Sequence, residues 1–442
     1  MDPDVNSQLF RYSRAPHFIL SYLIKKGEIL TMQPSLQTSC WGNKLLQQRD
    51  ELLSILKQRV KTYGYKQIQT AAFETYDLYA ANPKIVNTDD MVKIMDTSGK
   101  VLVLRPDATI PITQQIAANQ VNVNDDVRLF YIMDVFGYRF ENEQKQRTQA
   151  GVEYFTSRTP TADAEVIALA IHILKDCGFP TFKFEIGHAG FFRALIAQAN
   201  LADDQIAPLQ TFIQTKNIAE MAEYLATLPI DETLKQAMQH IPFLYGEPNQ
   251  VMEEIKQHGL NGMVQTELNY LIDVYDSIQA YELTDQIVFN LGLINDMDYY
   301  SDVIFQGFVN QAGKPVVMGG RYDRLGDRFG AHIPAIGFAF DVDLLFTAAK
   351  QHGLVKRLSL DEPITIYYDF QKQKEALAIA LQLREQGYAV ISYLKQNDLQ
   401  TIPEMGEQIH YGADQPTLYQ NGRAYPFLDV SDLVKLLQER GN

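Results

Sequence analysis

At 442 residues the chain has room for two or three domains, and 46% hydrophobic with 21% charged residues provides real cores and excludes a disordered chain. The 39 basic side chains against 54 acidic ones leave a net charge of −15, which repels phosphate backbones and argues against a nucleic-acid binder. Two cysteines, Cys40 and Cys177, are too few for a disulfide framework or a four-cysteine zinc site and fit a reduced cytoplasm, and no apolar run reaches the ~18 residues of a membrane span.

Residues 1–34 have weak periodicity and read as an N-terminal extension. Their apolar stretch at Phe18 lacks the basic start and small-residue cleavage site of a signal peptide. Gln47 to Tyr63 is an amphipathic helix with Leu52, Leu53, Leu56 and Val60 on one face, closed by Gly64. Tyr65 to Glu74 reads as a strand. Val92–Asp96 and Lys100–Leu104 flank a glycine-containing turn and form a hairpin. Leu102 to Pro111 reads as a further strand, with Asp107 and Thr109 two apart on one face, and a helix opened by Pro111 runs to Asn119.

Arg128 to Phe155 is the most informative stretch, a strand, a charged loop and a second strand. Leu129–Phe136 is apolar enough to be buried on both faces, and Gly137–Arg147 is polar. In Gln149–Phe155, alternation puts Gln149, Gly151 and Glu153 on one face. Two polar side chains flanking a glycine make a floor with room above it for a small ligand carrying an ammonium group. A solvated sheet face is the competing reading, and the polar pair Asp107 and Thr109 on the preceding segment favours the floor.

Asp163–Lys175 is a helix, Lys183–Ile186 a strand and Gly187–Gly190 a loop, in which His188 reads as a packing residue. Residues 192–283 are helical throughout. Sheet patterning resumes at Gln286–Leu293 and Asp298–Phe305. Gly319–Leu325 reads as a turn, Ala335–Ala339 as a strand of small residues and Val342–Gln351 as a helix. Beyond a linker at Leu358–Pro363, a strand–helix–strand order (Ile364–Phe370, Lys374–Gln386, Ala389–Tyr393) implies parallel pairing. Short strands at His410–Gly412 and Leu418–Tyr425 and a helix at Val430–Arg440 complete this unit. No metal-ligand spacing is visible, and the pair Asp89–Asp90 reads as a solvated loop.

Three blocks resemble the core of a class II aminoacyl-tRNA synthetase, specifically histidyl-tRNA synthetase: Leu104-Arg-Pro-Asp-Ala-Thr109, the Arg128–Phe155 hairpin, and Asp298-Tyr-Tyr-Ser with Gly319-Gly-Arg-Tyr-Asp323. The resemblance covers roughly 41–351. It implies an α+β fold: an antiparallel sheet core flanked by helices over 35–357, with a helical insertion at 192–283 and a small α/β domain at 362–442. It also implies that Asp107, Thr109, Gln149 and Glu153 hold the amino group and imidazole of histidine, with Tyr299 and Tyr300 as the aromatic wall.

The nucleotide side departs from that family. Activation builds negative charge at the α-phosphate, which fixed guanidinium groups absorb. Where the family implies arginine, this chain has Gly137 after Phe136, Asn295 before the Asp-Tyr-Tyr block and Leu344 in the last helix opening. Asp341 stands where a glycine belongs, and Ala71 replaces a proline. This combination resembles the ATP phosphoribosyltransferase regulatory subunit family. That resemblance implies a non-catalytic, cofactor-free cytoplasmic protein, a short-form catalytic phosphoribosyltransferase subunit as partner, histidine as effector, and a homodimer within a hetero-oligomer. An active histidyl-tRNA synthetase and a synthetase-like paralogue with another duty are the alternatives.

Overall fold

The computed structural model describes residues 24–25, 28–29, 43–80, 86–119, 126–138, 145–257, 260, 262–294, 300–354, 363–395, 407–412, 415–420 and 422–438. Tyr299, Asn295, Arg139, Cys40 and most of the N-terminal extension lie outside them.

The molecule is built on one nine-stranded sheet. We number its strands in chain order: β1 (Lys66–Gln67), β2 (Val127–Phe136), β3 (Gln146–Phe155), β4 (Phe182–His188), β5 (Tyr245–Gly246), β6 (Ile287–Asn290), β7 (Val303–Val309), β8 (Val317–Arg321) and β9 (Ala335–Asp341). Their spatial order is β5-β6-β4-β7-β8-β9-β3-β2-β1. The pairing is antiparallel except between β6 and β4 and between β1 and β2. The six helices that matter for the site are α1 (Asn43–Thr62), α2 (Thr109–Ala118), α3 (Pro160–Asp176), α4 (Ala189–Ala199), α5 (Gly262–Gln279) and α6 (Val342–Gln351).

The strand period of two sorts the side chains between two cores. Phe130, Ala150, Val152, Tyr154, Phe338 and Phe340 point to the face covered by α1, α3, α6 and the helical segment, in one large apolar cluster. Tyr131, Met133, Phe155, Tyr300 and Tyr322 point to the other face, where they meet Ala108, Ile110, Ile112 and Ile116 of the α2 region. So β2 is packed on both sides, as its unbroken apolar run implied. The small C-terminal unit has its own core around Ile366, Ala380, Ile409, Leu418 and Leu433. Its first two strands, Ile364–Tyr368 and Val390–Leu394, pair in parallel as their connecting helix demanded.

Several expected elements differ from those observed. The strand expected over Leu102–Pro111 ends at Leu104. Pro106 lacks an N–H for a ladder, and Arg105 turns inward to donate to Thr70 O, Ala71 O and Asp134 O at 3.0, 2.7 and 2.8 Å. Thr109 therefore opens α2 and is not a strand residue. The strand expected over Tyr65–Glu74 is reduced to β1 and a three-residue strand, Phe73–Thr75, in a separate three-stranded sheet. Gly187–His188 is strand rather than loop, because α4 begins at once, with the His188 ring as its N-cap. Gly319–Arg321 lies in β8, not in a turn. A side chain at Gly319 would sit 2.4 Å from Gly337 O, so the neighbouring strand explains that glycine. Leu418–Tyr425 is a hairpin of two strands, Thr417–Gln420 and Arg423–Pro426.

Candidate functional site

The floor begins with Glu153 on β3. Its carboxylate lies over Gly337 of the neighbouring strand, where any Cβ would collide with it. One carboxylate oxygen accepts from Thr109 Oγ1 at 2.8 Å, and the other accepts a short bond from the Tyr322 hydroxyl. Glu153 is 1% exposed. Burial pushes its pKa up to about 8, while the two hydroxyl donors pull it down and Asp107 adds to the rise. At neutral pH this carboxyl is a proton store with two fixed donors around it.

Asp107 arrives from the turn before α2. Its carboxylate accepts from Ile110 N at 2.9 Å, as a local cap on the helix opening. Burial raises its pKa to about 6 against the pull of that N–H and of Arg105. The structure thus joins Asp107, Thr109 and Glu153 as the sequence expected, but through a helix start and not through a second strand. Gln149 sits on the same β3 face as Glu153, roughly 13 Å further along by strand rise, opposite Met133 and Asp341. Asp107, Thr109 and Gln149 keep partial solvent access, so the site opens on their side.

The room expected above Gly151 is not empty. Tyr131 faces Gly151 across the ladder, and its phenol would stand 2.5 Å from a Cβ there. Gly151 makes space for this ring, and the ring, beside the Thr109 hydroxyl, becomes part of the wall. Tyr131 and Tyr322 are the site residues the sequence reading missed. Their signal was the register: Tyr131 is cross-strand from Gly151, and Tyr322 follows β8, two strands from Glu153. Tyr300 packs its ring on Gly320, 2.8 Å from where a Cβ would lie, and closes the apolar side.

On the side where the resemblance implied nucleotide contacts, Asp341, Leu344 and Gly137 are taken up in local structure. Asp341 is the N-cap of α6, accepting from Leu344 N at 3.0 Å, with Arg147 at 3.5 Å from its carboxylate. A helix N-terminus is a natural seat for phosphate; here the chain's own carboxylate fills it. The Leu344 side chain packs against the large core cluster. Gly137 donates its N–H to Lys145 O at 3.1 Å.

A second polar cluster, His188, Glu267 and Asp302, brings its ligand atoms within 4.8 Å of one another. It does not fit a cation. Nδ1 of His188 accepts the Phe191 N–H, so Nε2 keeps its hydrogen and offers no lone pair. Arg158 already donates to Asp302 at 2.6 Å and to Glu267 at 2.8 Å. Burial lowers the His188 pKa to about 4, which keeps the ring neutral. The Asp89–Asp90 pair forms a short 3₁₀ turn capped by Asn87. Among the described residues no helix is long and apolar enough to cross a membrane.

The histidyl-tRNA synthetase family model matches residues 43–345. A protein of Oceanobacillus iheyensis described as an ATP phosphoribosyltransferase regulatory subunit is 44% identical over 76% of this chain and 82% of its own length. A protein of Acetivibrio thermocellus with the same description is 31% identical over 84% of this chain and 87% of its own. A solved structure from Bacillus halodurans C, described as an ATP phosphoribosyltransferase regulatory subunit/histidyl-tRNA synthetase, superposes with a TM-score of 0.73 at 27% identity. It covers 84% of this chain and 95% of that one.

Proposed function

Because the chain belongs to the ATP phosphoribosyltransferase regulatory subunit family, on a histidyl-tRNA synthetase-like fold, we propose that it performs no transfer itself and acts on a separate catalytic subunit. In this reading a short-form phosphoribosyltransferase carries the chemistry of the first step of histidine biosynthesis. Histidine, bound on the Glu153 floor, is the feedback signal, and the protein works in the cytoplasm as a homodimer within a hetero-oligomer.

One observation carries the proposal. The amino-acid floor is kept as a bonded set, Thr109–Glu153–Tyr322, while the helix opening that would meet phosphate is capped by Asp341. A carboxylate there repels the charge that activation develops, and each lost transition-state contact costs roughly 2.7–4 kcal/mol. That disfavours an active synthetase. A buried, hydrogen-bonding site rejects ligands that leave its polar groups unpaired, which gives histidine an advantage over isosteres without ring nitrogens. For histidine to inhibit, it must bind the inhibited form of the complex more tightly than the active one.

Two measurements test this. Calorimetric titration of the purified chain is expected to show heat with histidine and none with ATP. Mixing the chain with a short catalytic subunit is expected to raise phosphoribosyl-ATP formation and to make it histidine-sensitive. A catalytic subunit equally active alone, or histidine-driven pyrophosphate exchange by this chain, overturns the reading.

A further inference from the structure

Tyr300, Ser301 and Asp302 lead into β7, and their carbonyls precede the strand ladder that begins at Val303. Carbonyls outside a ladder need partners from elsewhere. The structure supplies them from α4. Arg193 donates to Tyr300 O at 2.9 Å and makes a second, shorter bond to Ser301 O. We propose that Arg193 is a positioning residue for the amino-acid pocket, holding the Tyr300 ring in place by clamping these two carbonyls.

The geometry suits a guanidinium and no other side chain. Its planar fork reaches two neighbouring carbonyls at once, where an ammonium is a point donor on a flexible stem. The remaining groups of the segment are fixed from other sides. Ser301 N donates to Arg321 O at 2.6 Å, and Asp323 N donates to Ser301 Oγ at 3.1 Å. Ala189 N, the first residue of α4, donates to Asp302 O at 2.8 Å. The Asp302 carboxylate takes Arg158, which also reaches Glu267 on α5. The His188 ring caps the start of α4, accepting from Phe191 N at 3.2 Å, and His188 pairs with Val303 of β7, so the helix bearing Arg193 is anchored beside the same segment. With these contacts set, the Arg193 clamp is what fixes the carbonyls next to the Tyr300 side chain, and the ring rests on Gly320 with no room to slide inward. The unplaced role of the His188–Glu267–Asp302 cluster follows: it buttresses the pocket wall from the helical segment.

This inference rests on the histidine reading above, and its test separates the two. Wild type, Arg193→Met, Arg193→Lys and a control, Arg59→Met, which breaks the remote Arg59–Asp176 pair, are titrated calorimetrically with histidine. Each is also melted without ligand. Arg193→Met is expected to weaken histidine binding at least tenfold, Arg193→Lys to recover part of it, and the control to bind as wild type, all four being folded at the titration temperature. Wild-type affinity in Arg193→Met, or an equal loss in the control, overturns the inference. Should Arg193→Met fail to fold, Arg193→Lys decides: weakened binding supports the clamp and unchanged binding overturns it. If wild type itself gives no heat with histidine, the parent reading falls and takes this one with it.

Discussion

Glu153 is the residue whose chemistry is most altered by the fold. Its pKa, pushed up to about 8 by burial, lies above the ordinary carboxyl value of 4.5. Between about pH 4.5 and pH 8 the folded chain therefore holds a proton that the unfolded chain releases. Stability from this group is fully present below the lower value and is lost as pH rises through the upper one. From pH 5 to pH 8.5 the unfolding free energy from denaturant titration is expected to fall for wild type by on the order of a few kcal/mol more than for Glu153→Gln, which keeps the shape without the charge. Parallel curves for the two proteins would sink this account. Alternation alone placed Glu153 on the right face, because a strand's period needs no tertiary knowledge. It could not reveal Thr109 and Tyr322 as its partners, since those lie 44 and 169 positions away. Nor could it show that Gly151 makes room for Tyr131, because that depends on the register between β2 and β3.

At the scale of elements, the start of α3 meets the end of β8. Asp163 at the helix opening is fully buried against Arg321, at 2.5 Å, with Tyr270 of α5 donating to its other oxygen at 2.8 Å. The sequence suggested a helix from Asp163 and a turn at Gly319–Leu325. In fact the glycines let β8 pass between β7 and β9, and the strand delivers Arg321 to the acid. Removing one member of a buried pair leaves an uncompensated charge. Arg321→Met is therefore expected to cost about 3–5 kcal/mol in chemical denaturation, far more than Arg59→Met on the surface. Near-equal losses would mean that this junction is not what joins the strand to the two helices. The amphipathic helices were legible because their apolar face repeats locally, as α1 shows with Leu52, Leu56 and Val60 all buried. The strand ends were not, because they depend on which carbonyl the neighbouring chain offers.

For the whole molecule, the sheet core and the C-terminal unit each bury an apolar cluster of their own. Separate cores predict separable folding. A chain shortened to residues 1–357 is expected to unfold at the midpoint of the major transition of the full protein and to retain histidine binding. A large fall in that midpoint would show that the two units are energetically one.

Local periodicity was sufficient to set the face of Glu153. The fold class, and the reading of Gly137, Asn295 and Leu344 as standing where the family implies arginine, came from the resemblance of three sequence blocks to histidyl-tRNA synthetases. Only the folded chain decided that Thr109 reaches the floor from a helix start, that Tyr131 fills the space over Gly151 and that Asp341 caps α6. Each depends on distances between segments remote in sequence, which are fixed by packing and register rather than by any local preference.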